Sequence, residues 1–343
     1  YVIVAVWLLA VSLMLWVFGG DYNIPDSGYA SLRPFFSLAP ILLLLFVPAV
    51  TMRSFAEEKR LGTMELLLFR PIRLSTIVLS KFLSAFLLML MALLLTWVYV
   101  FSVQMMSSSG MDMGELAGGY IALIGLIATF VSIGVFASSL TSNQLVAFLV
   151  AAFLSFAGFF GFDLLASLYS DGAMHNMLSA MGMNEHYRSL IRGVVDSRDI
   201  IYFLTLCTFF IGLTIAVNTL RKDKKLWRNT VVVLSGLVLF NVFSAFVYIR
   251  IDLTEGKRYT LSLQSRDLVK GLDKPLEVLL YLNGDLNPAF DRLRTATLDV
   301  LEELSQYTTH GIVLREVNPA IAPDEATRQK NYLKMDERGI KGI

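Results

Sequence analysis

Seven long apolar blocks limit the folds open to this chain more than any other feature of its sequence. They cover residues 2–18, 35–50, 77–103, 120–140, 145–168, 200–220 and 231–249. Each approaches or exceeds the roughly 17 to 25 residues that cross a bilayer as an α-helix, the second only if it continues toward Phe55. Since 55% of the residues are hydrophobic, the sequence predicts an α-helical polytopic membrane protein with a smaller soluble part.

The first block, residues 2–18, is predicted to be a membrane span rather than a cleaved signal. A secretory signal would carry a basic leader and a small-residue cleavage site, and this block has neither. We therefore expect that further residues precede it in the full protein.

The charges of the loops predict which side of the membrane each loop faces. Cations gather in residues 54–75 and 221–230, whereas residues 21–34 hold only Arg33 and residues 107–119 hold none. An excess of Lys and Arg marks cytoplasmic loops, so both basic loops are placed in the cytoplasm. The net charge of +1 leaves no basic stripe outside these loops, and we expect no nucleic-acid partner.

The basic loop after the second block has the pattern of two short helical turns joined by a break. Ser54 with Glu57 three residues later fits a capping box, and Gly62 is expected to end the first turn. Thr63 then begins a second turn, which Pro71 prevents from continuing. Such a compact charged element at a membrane face offers a surface for a partner.

The same loop resembles the coupling-helix signature of type-2 ABC exporter permeases. The matching residues are Glu58, Gly62, Thr63, Glu65, Leu67, Pro71 and Lys81. The resemblance implies that the loop seats in a groove of a separate ATPase subunit and carries its motion into the membrane. The residues to which it assigns ATPase coupling are Glu57, Glu58, Gly62, Thr63, Glu65 and Pro71. The alternative is an ordinary cytoplasmic loop whose basic residues follow the positive-inside rule.

The loop after the fifth block, residues 169–199, is long and not simply polar. Its stretch MNEHYRSLIRGVVDSRD interleaves apolar and charged residues, which predicts a helix in the membrane interface with its charged side in water. A similar run precedes the last permease span in the gliding-motility branch of the resembled family. The residues that match it are His186, Ser189, Arg192, Gly193, Val194, Asp196, Arg198 and Asp199.

Four residues of this outer amphipathic segment are candidate functional residues. They are His186, Arg192, Asp196 and Arg198. The alternative is an amphipathic cap that contacts no ligand.

The residues after the seventh block resemble the start of the auxiliary subunit of gliding-motility ABC transporters. The likeness rests on residues 252–254 and 257–262, on Tyr281 and Leu282, and on Arg292, Leu293 and Arg294. In most examples the permease and the auxiliary subunit are separate chains, so the resemblance implies a fusion with a fixed ratio of the two parts. The predicted domains are a six-span ABC permease (1–220), a cytoplasmic basic linker (221–230), a seventh span (231–250) and an extracytoplasmic α/β auxiliary domain (251–343).

The C-terminal residues predict an α/β fold by their own pattern. The predicted elements are a capped helix over residues 262–270 that ends at Gly271, a strand over 275–282, a helix from Pro288, a strand over 311–319 and a helix over 324–338. Strand, helix and strand in that order imply a parallel pair. The alternation of spans places this domain outside the cytoplasm, in the periplasm of a cell with two membranes, and with two strands visible we expect it to be incomplete.

The sequence carries no motif for hydrolysing ATP or holding a metal. The pattern G-x-x-x-x-G-K-[ST] is absent, and His175, His186 and His310 have no His or Cys at ligand spacing. We therefore expect that the chain is not an enzyme, and that ATP and magnesium are bound by a separate ATPase dimer. A carboxylate inside a span, Asp163, is by default a functional candidate, but solvation near the outer end of its span suffices to explain it.

Together with the resemblance, these patterns predict the inner-membrane subunit of an ABC transporter that exports a lipid-like, glycan or envelope component. Six permease spans supply half of a transporter, so a second copy of the chain is expected to complete it. In the first alternative, ATP-driven motion passes through the seventh span to the outer domain, which acts on a cell-envelope protein without transport. In the second alternative, the complex is a scaffold that needs no ATP.

Overall fold

A computed structural model describes most of the chain in two compact units, Tyr1–Lys257 and Arg258–Ile343. The described residues are 2–20, 22–28, 30–64, 72–107, 110–169, 173–219, 249–257, 259–272, 274–282, 288–305, 307–308, 311–318 and 325–337, with isolated positions at 232–233, 235–237, 240–241, 244 and 339. The first unit is mainly helical, and the second combines helices with strands.

The helices of the first unit follow the apolar blocks. The first elements are α1 (Val2–Trp16), α2 (Ile24–Ser27), α3 (Arg33–Thr51), α4 (Ala56–Leu61), α5 (Leu74–Leu95), α6 (Trp97–Met106) and α7 (Met113–Leu140). The next span consists of α8 (Gln144–Phe156), a π-helical turn (Ala157–Gly161) and α9 (Phe162–Ala166). The last elements are α10 (Ala173–Met181), α11 (Met183–Ile191), β1 (Val194–Asp196), α12 (Ser197–Thr219) and β2 (Arg250–Asp252).

Within the described residues, five helical stretches are long and apolar enough to cross a membrane. They are Arg33–Leu61, Leu74–Met106, Met113–Leu140, Gln144–Ala166 and Ser197–Thr219. The second to sixth predicted spans are confirmed in position. The second reaches a spanning length of 19 residues because α3 begins at Arg33, and α3 ends at Thr51. α1 is apolar over its 15 residues. The predicted seventh span lies largely outside the described residues.

The central helix of the first unit is α7. It packs against α3, α5, α8, α11 and α12, and its side chains Leu126, Ile127 and Phe130 are fully buried. Small residues allow this close packing: a Cβ atom added at Gly134 would lie 1.9 Å from Thr51 Oγ1 on α3. α7 therefore lies at the centre of the packing in the first unit.

The two ends of this bundle differ in structure. At one end, which we call the hairpin end, β1 and β2 form an antiparallel pair with Val195 opposite Ile251, next to the start of α7. At the other, which we call the basic-loop end, α3, α4 and the start of α5 meet the end of α7. The sequence grouped residues 251–257 with the α/β domain, whereas in the structure they lie in the first unit because β2 pairs with β1.

The second unit has the predicted order of elements. They are α13 (Leu263–Lys270), β3 (Leu276–Leu280), α14 (Pro288–Ser305), β4 (Ile312–Glu316) and α15 (Glu325–Glu337). Ser262 Oγ accepts a hydrogen bond from the Ser265 amide at 3.2 Å, and α13 ends at Gly271, so the predicted capped helix is confirmed. β3 and β4 are parallel, with Leu276 opposite Ile312, which confirms the predicted pair.

Candidate functional site

A serine of α7 caps the short helix α4 at the basic-loop end. Ser138 Oγ accepts hydrogen bonds from the Phe55 and Ala56 amides at 2.9 and 3.0 Å, and its hydroxyl donates to the Met52 carbonyl at 2.9 Å. Amides at the start of a helix have no acceptor within that helix and need one from elsewhere. Here a different span supplies it, and Ser138 is fully buried.

A lysine of α5 binds the same short helix. Lys81 Nζ lies 2.5 Å from Glu58 Oε1 and also donates to the Ser54 carbonyl. It lies 5.0 Å from the centre of the Phe55 ring. The side chains of Lys81 and Glu58 are 20% and 25% exposed, so water weakens this ion pair less than it weakens one on an open surface. α4 is therefore attached to two spans, α5 and α7.

The end of α4 forms an exposed tip. Gly62 adopts the left-handed conformation with φ of 71°, and the Thr63 amide donates to the Glu58 carbonyl at 3.0 Å. The side chain of Arg60 is 59% exposed, and Leu61 is 62% exposed. The tip therefore offers a cation beside an apolar side chain, a combination suited to a protein partner.

The structure brings together four of the six residues predicted to couple to an ATPase. Glu57, Glu58, Gly62 and Thr63 lie on α4 or directly after it, with Glu57 Oε1 4.0 Å from Arg60 Nη2. The predicted break at Gly62 is confirmed. Glu65 and Pro71, and the second turn predicted between Thr63 and Pro71, lie outside the described residues.

The predicted capping box of Ser54 and Glu57 is wrong. α4 starts after Phe55, so Ser54 lies one position too early to act as its cap. Its carbonyl accepts from Lys81 instead, and Ser138 supplies the cap from another span.

Sequence reasoning missed the residues of α7 that hold α4. Besides the cap from Ser138, the Ser139 carbonyl accepts a hydrogen bond from Lys59 Nζ. The available signal was a pair of adjacent serines at the end of an apolar block, and nothing in the local pattern relates that pair to a helix so far away in the chain.

A Ser138→Ala variant is expected to loosen the start of α4 without unfolding the bundle. Loss of a helix cap costs about 1 kcal/mol, so the Phe55 and Ala56 amides should exchange their hydrogens about fivefold faster. Hydrogen exchange of the purified protein in lipid vesicles measures this directly. Ser155, which is also fully buried, provides the matched Ser155→Ala control. Equal exchange in wild type and Ser138→Ala would contradict the capping role.

The hairpin end contains a fully buried carboxylate between two arginines. Arg198 Nη2 lies 3.0 Å from Asp196 Oδ2, and Arg250 Nε lies 3.8 Å from Asp196 Oδ1. Burial raises the pKa of the Asp196 carboxyl above its ordinary value, and the attraction of Arg250 and Arg198 offsets this only in part. These ion pairs join β1, β2 and the start of α12.

His186 of α11 connects three helices at the same end. Its Nδ1 lies 2.7 Å from Asp199 Oδ1 on α12, and its Nε2 lies 3.1 Å from the Ala180 carbonyl of α10. The imidazole stacks on the Tyr202 ring with 3.9 Å between centroids. Asp199 is 1% exposed, so this contact belongs to the interior of the hairpin end.

The prediction that this segment keeps its charged side in water is wrong for Arg192 and Asp196, as well as for Asp199 described above. Arg192 is 6% exposed and Asp196 is fully buried. α11 packs on α7, and β2 covers β1 from a distant part of the chain, so the charges lie inside. His186 and Arg198 are also mostly covered, with side chains 13% and 26% exposed.

Asp163 of α9 is the carboxylate that the sequence places inside a span. Its Oδ2 accepts a hydrogen bond from Asn184 Nδ2 on α11. The carboxylate therefore joins the fifth span to the hairpin end, and a role in binding a substrate stays a prediction.

The raised pKa of Asp196 gives the hairpin end a pH dependence of known sign. A carboxyl group with a raised pKa in the folded state binds its proton more tightly there than in the unfolded chain. Its contribution to stability is therefore complete below the ordinary pKa and is lost as the pH rises through the raised value. Lowering the pH from neutral into that interval should raise the melting temperature of the wild type relative to Asp196→Asn. A constant difference between the two melting temperatures across the interval would contradict this expectation.

Comparisons with known proteins support a membrane-transport role for the first unit. A family profile described as "ABC-2 family transporter protein" matches residues 23–253. A second profile, described as "Domain of unknown function (DUF7088)", matches residues 255–343. The search of curated proteins found no match, and the search of solved structures found none either. The boundary between the two profiles falls directly after β2, close to the boundary between the two compact units.

Proposed function

The chain belongs to the ABC-2 family of transporter proteins, and from this premise we propose that its basic-loop end receives ATP-driven motion from a separate ATPase. The chain is then the multi-pass membrane subunit of an ABC transporter, and α4 with the turn after it is the coupling element. ATP and magnesium are bound by the ATPase dimer rather than by this chain.

The attachment of α4 to two spans is the observation that carries this proposal. Ser138 ties the start of α4 to α7, and Lys81 ties Glu58 to α5. A partner that displaces the exposed tip at Arg60 and Leu61 therefore displaces both spans, whereas an ordinary loop would absorb the displacement. The positive charge of the loop supports a cytoplasmic location, where ATP is available.

The proposal also covers the number of copies, the orientation in the membrane and the exported material. A second copy of the chain completes the transporter, because six spans supply half of one. The hairpin end and the C-terminal unit face the outside of the cytoplasmic membrane, in the periplasm of a cell with two membranes. The exported material is a lipid-like, glycan or envelope component, and the matching residues in and after the hairpin end support a relation to gliding-motility systems.

Co-purification and ATP turnover test the proposal. The chain is isolated from its source cells with the ATPase that binds it, and turnover is measured in lipid vesicles. A double variant with Glu65→Ala and Gly62→Pro is expected to lose ATPase binding or to lower turnover about tenfold, equivalent to about 1.4 kcal/mol of activation free energy. Glu337→Ala, at an exposed position in α15, is the control. Unchanged assembly and turnover in the double variant would show that the loop is an ordinary basic membrane loop. A complex that contains one copy of the chain would contradict the proposed homodimer.

A second candidate function is mechanical transmission to a cell-envelope protein without transport. It is favoured by the attachment of β2, which follows the seventh block, to the hairpin end of the bundle. Full ATP turnover in vesicles that contain no exportable substrate would favour transmission, and turnover that depends on an added lipid-linked glycan would favour transport.

A further inference from the structure

The segment that leads into the C-terminal unit is held on the hairpin end by backbone hydrogen bonds. Besides the ladder between β1 and β2, the Leu253 amide donates to the Gly193 carbonyl at 3.0 Å. The Ser197 amide donates to the Ile249 carbonyl at 2.9 Å, and the Ile249 amide donates to Ser197 Oγ at 2.9 Å. We call these contacts of residues 249–255, together with the contacts to α7 below, the clasp.

A single carboxylate oxygen joins the clasp to α7. Asp112 caps α7: its Oδ1 accepts from the Gly114 and Glu115 amides at 2.9 and 3.3 Å. The same oxygen accepts from the Glu255 amide at 3.3 Å. The start of the central helix and the segment after β2 therefore share one acceptor, and neither can move far without the other.

Glycines bring the backbones of these elements into direct contact. A Cβ added at Gly114 would lie 1.9 Å from the Leu253 carbonyl oxygen. One added at Gly193, whose φ is +84°, would lie 2.9 Å from the Glu115 amide nitrogen. Contact between backbones leaves no rotatable side chain between the elements to absorb a displacement, so the clasp transmits movement directly.

Side-chain contacts of residues 249–255 also stiffen this segment. Asp252 Oδ1 accepts from the Thr254 amide at 3.0 Å and from its hydroxyl at 2.6 Å, and Thr254 is 6% exposed. Arg250 adds its ion pair with Asp196. The segment thus leaves the hairpin end as an ordered turn.

α7 connects the basic-loop end to the hairpin end. At the basic-loop end Ser138 binds α4, and at the hairpin end Asp112 and Gly114 bind the clasp. Between them runs an uninterrupted helix of 28 residues, about 42 Å long at the usual rise. A regular helix buried among five others is stiff along its axis.

We infer that the clasp is the mechanical output of the membrane domain: α7 carries the displacement of α4 to residues 249–255, and the continuing chain delivers it to the C-terminal unit. The inference rests on the proposed function, in which an ATPase displaces α4. It assigns the connection to α7 and the clasp rather than to the seventh span, and it makes Asp112 and Gly114 positioning residues for that output.

Distance measurements between spin labels test the inference. In a Cys207→Ala background, labels are placed at Met105, which is 87% exposed near the end of α6, and at exposed Glu255. With the co-purified ATPase in vesicles, ATP and vanadate are expected to shift the distance peak in the wild type. Asp112→Ala and Gly114→Leu should abolish the shift and broaden the distribution, while turnover stays within about twofold of wild type. The matched control is Gly236→Leu, because among the described residues no heavy atom lies within 4 Å of a Cβ at Gly236.

The outcomes separate this inference from the proposed function. If turnover is stimulated but the wild-type peak does not shift, or if the clasp variants with normal turnover keep the full shift, the inference is overturned. If turnover is never stimulated, the proposed function fails by itself. The clasp is then judged by hydrogen exchange: the Leu253 and Glu255 amides must be protected in the wild type, and Asp112→Ala must speed their exchange about tenfold. Exchange at the rate of an unstructured segment in the wild type would overturn it.

Discussion

A Lys81→Met variant is expected to lose about nine-tenths or more of the ATP turnover that the wild-type chain supports. Methionine keeps the apolar stem against Phe55 but removes the cation that binds Glu58 and the Ser54 carbonyl. The carboxylate of Glu58, 25% exposed, then lacks its partner, which costs about 1 to 3 kcal/mol and frees α4 from α5. Turnover of the co-purified complex in lipid vesicles measures the loss.

A second substitution distinguishes the ion pair from a general loss of charge. Adding Glu58→Gln to Lys81→Met removes the stranded carboxylate, so the double variant should support more ATP turnover than Lys81→Met alone. Two changes on an interacting pair are less than additive in their free energies, and that coupling is the signature of direct contact. Lys334→Met, at an exposed position on α15, controls for loss of a lysine. Turnover of Lys81→Met equal to wild type would contradict the attachment of α4 to α5.

A Gly118→Ala variant is expected to destabilise the protein, although alanine favours helices. A Cβ at this position of α7 would lie 2.3 Å from the Leu190 carbonyl oxygen and 2.7 Å from Gly193 Cα. Both are backbone atoms that cannot rotate away, so α11 must shift, at a cost of about 1 to 3 kcal/mol. At about 2 to 4 °C per kcal/mol for a unit of this size, the melting temperature in detergent should fall by roughly 2 to 12 °C.

The control substitution is expected not to lower stability. Gly236→Ala places the same methyl group where no heavy atom of the described residues lies within 4 Å, and the higher helix propensity of alanine should leave stability unchanged or raise it by up to about 1 kcal/mol. Equal melting temperatures of Gly118→Ala and wild type would show that α7 and α11 are not in close contact.

Features determined by neighbouring residues could be predicted from the sequence. Ser262 and Gly271 bound α13 because a cap and a C-terminal glycine act within one turn, and Gly62 ends α4 for the same reason. The spans could be placed because bilayer thickness imposes a length on any apolar helix. The parallel pair of β3 and β4 follows from the helix between them.

Features determined by distant contacts could not be predicted. Ser138 lies at the end of the fourth span and caps a helix that follows the second, and only the folded structure brings the two together. Ser54 was predicted as the cap because it lies beside α4 in the sequence. Asp196 and Arg192 were predicted to face water because charge usually does. Asp196 lies opposite Arg250 of β2, and the pairing of β1 with β2 has no local signal.

The pairing of β1 with β2 has a consequence for the order in which the protein is synthesised. β1 leaves the ribosome before the seventh block, and β2 leaves only after it, so β1 has no strand partner until that block has been synthesised. Unpaired strand edges invite aggregation, and charged residues on them suppress it. The charges of Asp196 on β1 and of Arg198 just after it are expected to protect the unpaired strand in the nascent chain, and the same charges form the buried ion pairs once Arg250 has been added.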